Sequence, residues 1–261
     1  MQQQKQKYSL HIPGAWGNLS KEDVRCWHRV PMAIMESHGF TPVPIVFMGK
    51  SFEDIRDGIM VQLAAIPHDA TVVSLPFSTG SQPERMALAE IPGLVDGTIQ
   101  IACPSRWGMS VAGFSRAMTR VLGPFAGGFA PPFEVALSTK RHAYDVFYRG
   151  SRFFPEFTDD MLDIDPVFEQ IIADAHPQAL WPCLQLGTPG FRKTCPATPH
   201  KRVAVVPEQD LFFRDVVADR HRGGDIDHVI TLRDSTHGII FDESWLGGAI
   251  HQALEHLELL D

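Results

Sequence analysis

Short apolar runs rich in β-branched residues recur along the chain and are bounded by turn residues, at 8–12, 42–47, 70–75, 97–103, 202–206 and 227–232. Each is too short for a helix and fits a strand buried on both faces. Helix-periodic stretches lie between most of them. Alternation of this kind predicts an α/β fold, a mostly parallel, doubly wound sheet of about six strands.

The helical segments carry local signals of their own. Phe52, Ile55, Ile59 and Leu63 fall on one helical face, with Ser51 placed to cap the helix and Asp54 three residues further on as a capping-box acid. Near the C-terminus Leu246, Ile250, Leu254 and Leu257 form a second buried stripe, which leaves His251 and His256 on the solvated side. From Pro104 to about Gly190 the alternation stops. Helical stretches near 109–122, 132–147 and 159–175 are joined there by Gly/Pro-rich links such as Gly123-Pro124-Phe125-Ala126-Gly127-Gly128. This predicts a core formed by residues 1–103 and 191–261 with a helical lid inserted at 104–190. Phe114, Phe125, Phe129, Phe133, Phe147, Tyr148, Phe153, Phe154 and Phe157 lie in that insertion, either to line an apolar pocket or to hold the lid together.

Composition narrows the partners. The 261 residues include 23 Lys and Arg against 31 Asp and Glu, a net charge of -8 with no basic block, which argues against a nucleic-acid or anionic-membrane surface. A small neutral or apolar molecule is the better match. Cys26, Cys103, Cys183 and Cys195 form no CxxC pair and have no metal-ligand spacing, so buried free thiols are expected, with neither disulfide framework nor metal. The first residues, Met-Gln-Gln-Gln-Lys-Gln-Lys, lack the apolar core of a signal peptide, and no run approaches the roughly 18 apolar residues of a membrane helix. A cytoplasmic location is the expectation.

Three segments carry candidate chemistry: Pro76-Phe77-Ser78-Thr79-Gly80, Pro207-Glu208-Gln209-Asp210 and Ser235-Thr236-His237-Gly238. Each follows a predicted strand, so a hydroxyl, a carboxylate and an imidazole are all expected at the C-terminal edge of one sheet, where open α/β sheets bind ligands. A serine needs a base within reach and a group that orients the base. Glu208 is the alternative acid, and His11, His200 and His228 are the alternative histidines. His11 ends the first strand and is expected to be structural or to back the site, while His228 falls inside a strand. Gly108-Met109-Ser110-Val111-Ala112-Gly113 looks like a second serine turn but begins several residues after its strand. Pro44-Ile45-Val46-Phe47-Met48-Gly49-Lys50-Ser51 approaches a phosphate-binding loop yet has proline where the first glycine is required.

The layout resembles the α/β-hydrolase superfamily. Ser78 corresponds to the nucleophile elbow, Asp210 to the acid after the penultimate strand, and His237 to the histidine of a Thr-His-Gly loop before the last helix. Ile12-Pro13-Gly14-Ala15-Trp16-Gly17-Asn18 is similar to the family's His-Gly-Ala-Trp oxyanion loop, with Pro13 in place of histidine, and Pro76 takes the place of the elbow's first glycine. Since seven residues precede Tyr8, the family's first antiparallel hairpin is expected to be missing.

The resemblance implies that Ser78 attacks an acyl carbon, His237 shuttles the proton and Asp210 orients His237. The backbone N–H groups of Thr79 and Ala15 would form the oxyanion hole, with Trp16 and Phe77 beside the substrate. It implies hydrolysis of an ester, thioester or lactone of a moderately apolar small molecule without a cofactor, and it makes a homodimer plausible. The same scaffold also suits C–C hydrolysis, a lyase or isomerase step with His237 as base, or a binding protein that has lost catalysis.

Overall fold

Side chains on a β-strand alternate between faces, and here both faces are apolar, so the sheet must be covered twice. The computed structural model of the chain describes residues 5–14, 20–46, 52–106, 108, 144–145, 147–149, 196–213, 216–217 and 224–260. Within them six strands, β1 (Lys7–Ile12), β2 (Thr41–Pro44), β3 (Thr71–Pro76), β4 (Gly97–Ile101), β5 (Lys201–Pro207) and β6 (His228–Leu232), form one all-parallel sheet in the order β2-β1-β3-β4-β5-β6. The helices are α1 (Lys21–Trp27), α2 (Arg29–Ser37), α3 (Phe52–Leu63), α4 (Ser81–Glu90) and α5 (Glu243–His256).

One core lies under α2 and α5, where Val73, Leu75, Ile99, Val203 and Val205 meet Ile34, Met35, Leu246, Ile250 and Leu254. The other lies under α3 and α4, where Leu10, Ile12 and Val72 meet Ile55, Ile59, Leu63 and Ala87. Ile55, Ile59 and Leu63 of the stripe predicted on α3 are thus buried, and His251 and His256 on α5 are exposed as expected. Asp242 caps α5, accepting hydrogen bonds from the backbone N–H groups of Ser244 and Trp245. Ser51, the expected cap of α3, lies outside the described residues. No helix among the described residues is long and apolar enough to cross a membrane.

Two strands end earlier than their apolar runs. Ile45 and Val46 fall beyond β2, and Ala102 ends β4 by adopting a φ of 47°, which turns the chain before Cys103. Ile45 stays in the core regardless, so burial and strand membership part company there. Cys26 and Cys103 are free thiols; Cys103 is buried, which pushes its thiol pKa up, and it donates to the Pro76 carbonyl at 3.1 Å. Nearly all of the expected lid at 104–190, the decoy serine Ser110 and the segment 47–51 lie outside the described residues.

The α4 side also holds a buried polar network that apolar patterning does not announce. Arg202 on β5 donates to Glu84 on α4 at 2.9 Å, Thr98 on β4 donates to the other Glu84 oxygen at 2.8 Å, and Arg85 pairs with Asp225. Gln100, in the amide orientation that satisfies its neighbours, accepts from Arg85 at 3.0 Å and from Arg202 at 2.9 Å. Burial pushes the Asp225 carboxyl up, but Arg85 and Arg202 more than offset this and hold it at about 2. Arg202→Met would strand the Glu84 carboxylate in the interior, a loss expected to be about 3–5 kcal/mol. Urea unfolding should show that loss largely recovered in Glu84→Leu/Arg202→Met; a single-variant loss below about 1 kcal/mol would contradict a mutually dependent network.

Three histidines are held neutral by burial. The His28 pKa is lowered to about 3 and that of His11 well below its usual value, while His200 is lowered to about 4 by burial and then by Arg202. A folded pKa below the unfolded one means that the stability is complete above about pH 6.5 and is lost as pH falls toward the folded value. For His28 the cost should approach 1.4 kcal/mol per pH unit over that window, roughly. Urea midpoints measured from pH 7 to pH 4.5 should therefore fall less steeply in His28→Phe than in the wild type.

Candidate active site

The direction of chain winding reverses at β1. From it the chain passes to β2 on one side, then returns to β3 on the other side and continues outward to β6. At such a switch point the segments leaving neighbouring strands diverge and open a crevice at the C-terminal edge. Here those segments begin as Pro13-Gly14 after β1 and Phe77-Ser78 after β3, which are still packed against each other where they leave the strands.

Ser78 occupies the turn between β3 and a short 3-10 turn (Ser78–Gly80) that runs directly into α4. Its φ is 52°, in the left-handed region that residues other than glycine rarely adopt, and this lifts the hydroxyl out of the strand path. Two glycines make the turn possible. A Cβ on Gly80 would stand 2.4 Å from the Pro13 carbonyl oxygen and 2.9 Å from that of Ile12, and one on Gly14 would stand 2.8 Å from the Ser78 Cβ. Pro76 is accommodated because the β3–β4 ladder does not require its missing N–H. Registered pairs at Val73–Gly97 and Ser74–Thr98 are followed only by an isolated bridge, Phe77–Ile101.

His237 meets Ser78, and Asp210 meets His237. His237 Nε2 lies 3.1 Å from Ser78 Oγ, and His237 Nδ1 lies 2.9 Å from Asp210 Oδ2. Asp210 Oδ1 is held in turn by the backbone N–H groups of Phe212 at 2.7 Å and Phe213 at 3.1 Å, so one carboxylate oxygen is fixed and the other is aimed at the imidazole. The loops after β5 and β6 are laced together by hydrogen bonds from Glu208 N–H to the Leu232 carbonyl and from Gln209 N–H to the Ser235 carbonyl. Glu208, the alternative acid, is exposed and accepts from the Asp234 N–H at 3.2 Å.

Ser78, Asp210 and His237 are 3%, 1% and 1% exposed. Four phenylalanines surround the imidazole: Phe77 with ring centroids 5.1 Å apart, Phe147 stacked at 5.7 Å, Phe212 at 5.0 Å and Phe213 at 5.5 Å. Phe77 is itself 1% exposed and packs on Trp27 and His28 as well as on His237. Thr79 follows Ser78 at the start of the 3-10 turn, where leading backbone N–H groups have no partner within the helix. Ala15 and Trp16 lie outside the described residues, immediately after Gly14.

The alternative histidines are elsewhere. His11 is buried against His28, with Nε2 3.0 Å from Ser9 Oγ; His200 lies 2.9 Å from Thr98 Oγ1 in the polar network; His228 stacks on His256 at the outer edge of the sheet.

No family model matches the sequence, and no curated protein matches it. Solved structures do resemble the fold. A variant of tomato methylketone synthase I complexed with β-ketoheptanoate superposes with a TM-score of 0.63 at 14% identity, covering 98% of this chain and 100% of that one. A carboxylesterase from the thaumarchaeon Nitrososphaera gargenis gives 0.67 at 15% identity over 98% and 92% of the two chains. A methylesterase from Arabidopsis gives 0.59 at 14% over 96% and 99%.

The chain has the α/β-hydrolase fold. Within it Ser78 lies on the turn after β3, Asp210 follows β5, the penultimate strand, and His237 precedes α5. Sequence reading did not single out Trp27, Phe212 or Phe213 as walls of the site. The adjacency of Phe212 and Phe213 to Asp210 was the one local signal available for the last two.

The glycine requirement can be tested with opposite signs. Gly80→Ala should destabilise the α/β-hydrolase core by about 2 kcal/mol or more in urea unfolding, because its obstacle is backbone. Gly248→Ala, at an exposed position in α5 with nothing within 4 Å of the new Cβ, should stabilise by about 0.5–1 kcal/mol.

Proposed function

We propose that this protein is a serine hydrolase that cleaves an ester, thioester or lactone of a moderately apolar small molecule through an acyl-enzyme. The reading rests on one observation: the left-handed Ser78 is hydrogen-bonded to His237, which is hydrogen-bonded to Asp210. The carboxylesterase and methylesterase among the similar folds support the bond class, and Phe212, half-buried beside His237, supports an apolar substrate.

In this mechanism Ser78 Oγ attacks the acyl carbon as its proton passes to His237 Nε2, and Asp210 stabilises the resulting imidazolium through Nδ1–H. The carbonyl π electrons move onto oxygen, and the Thr79 and Ala15 N–H groups donate hydrogen bonds to the oxyanion so formed. A donor of this kind lowers the barrier by roughly 3–4 kcal/mol. Collapse re-forms the carbonyl and breaks the bond to the alcohol or thiol, which takes the proton from His237. Water then repeats the sequence, with His237 as base, and releases the acid and free Ser78.

A second reading keeps the scaffold but uses His237 as a general base on a substrate that is not an ester. The methylketone synthase among the similar folds, complexed with a β-keto acid, supports considering it.

A fluorophosphonate probe read by intact mass separates the two. One adduct per chain, mapping to Ser78, absent in Ser78→Ala and at least about a hundredfold slower in His237→Ala, is the expected result. Turnover of short-chain esters and thioesters should vanish in the same Ser78→Ala protein while its circular dichroism is unchanged. A folded wild type that takes no label, or a Ser78→Ala protein that retains turnover, would overturn the hydrolase reading.

A further inference from the structure

His237 sits just beyond the end of β6 on a short turn, yet its ring is almost completely enclosed. One wall of that enclosure comes from far along the chain. Phe147, within the segment between β4 and β5, stacks on the imidazole with ring planes 25° apart, and its own ring is fully buried against Trp27 and Phe241. A helical turn holds the pair that makes this contact, with the Tyr148 N–H donating to the Tyr144 carbonyl at 2.8 Å and the Arg149 N–H to the same oxygen at 3.0 Å.

A second observation is independent of the stacking. The residue after the histidine is Gly238, and a Cβ there would stand 2.9 Å from the Phe147 carbonyl oxygen and 2.9 Å from the Tyr148 ring. The φ of Gly238 is not in the left-handed range, so no backbone conformation calls for glycine at this position. What requires it is the seat of the Phe147-Tyr148 backbone on the histidine turn.

We propose that Phe147 is a positioning residue for His237, and that Gly238 is its docking seat. The inference rests on the reading of His237 as the proton shuttle. An imidazole held at one nitrogen by Asp210 can still rotate about that hydrogen bond. A flat ring against its face removes this freedom and keeps Nε2 directed at Ser78 Oγ. Phe147 also shields the Nδ1–H···Asp210 hydrogen bond from water.

Phe147→Leu fills much of the volume without a flat face, and Gly238→Ala pushes the segment off its seat. Saturating fluorophosphonate kinetics give the maximal inactivation rate and the probe affinity separately. Phe147→Leu and Gly238→Ala should each lower the rate roughly tenfold to a hundredfold with affinity changed less than about threefold. The same proteins labelled with 15N-histidine give a readout that needs no activity. The His237 Nδ1–H resonance should be observable in wild type, and lost to solvent exchange in Phe147→Leu and Gly238→Ala.

Wild-type inactivation rates in folded Phe147→Leu, or a His237 Nδ1–H as protected there as in wild type, would overturn the positioning role. A wild type that takes no label but shows the protected proton, lost in Phe147→Leu, would instead overturn the hydrolase reading and leave the contact standing. If Phe147→Leu fails to fold, Gly238→Ala carries both measurements.

Discussion

Among the described residues, the closest of the glycine-dependent backbone contacts is the approach of the chain leaving β1 to the chain leaving β3. Gly14 lies against Ser78, and Gly80 lies under the carbonyls of Ile12 and Pro13, with no room for a methyl group at either place. The Phe77 N–H donates to the Ile12 carbonyl at 2.9 Å and fixes the register of the two segments just where they part. A serine can be held at a positive φ there because the surrounding backbone leaves it no alternative, and packing offsets a local strain of order 1–3 kcal/mol.

Everything at the sheet edge follows from that fixed point. With Ser78 placed by β3 and α4, the imidazole and carboxylate have to be brought to it from β6 and β5. The backbone hydrogen bonds between the loops after those strands hold them as a unit. Asp210 is fixed by two N–H groups before it meets the histidine, so its orientation does not depend on His237. The four phenylalanines then confine the ring. They also surround the buried imidazole with apolar rings, and a low local dielectric strengthens each hydrogen bond within it.

The opposite end of the sheet is held by different physics. Glu84 and Arg85 follow the serine turn by less than two helical turns, and they tie α4 to β5 and the segment before β6 through buried ion pairs and to β4 through the hydrogen bond from Thr98. An apolar helix packed on an apolar sheet could slide by a residue at little cost. Paired charges cannot, because any shift leaves a charge without its partner in a low-dielectric interior. The helix that presents Ser78 is thereby registered against the strands that lead to Asp210 and His237.

The alternation of apolar runs determined the strands, their parallel sense and the two-sided core, since those follow from local periodicity and burial. The order of Ser78, Asp210 and His237, each just beyond such a run, was legible for the same reason: a strand end is a local feature. Strand limits were less so, because Ala102 ends β4 through a backbone angle that its side chain does not signal. Tertiary structure alone decided which histidine meets the serine and which acid meets that histidine. His237 and Ser78 are 159 positions apart, and only the sheet order brings them to 3.1 Å. It also decided that Arg85, Arg202 and Glu84 would be interior and that a phenylalanine from the segment between β4 and β5 would lie on the imidazole. Burial of a charge depends on a partner that sequence spacing does not specify, and a ring contact between distant segments exists only once the chain has folded.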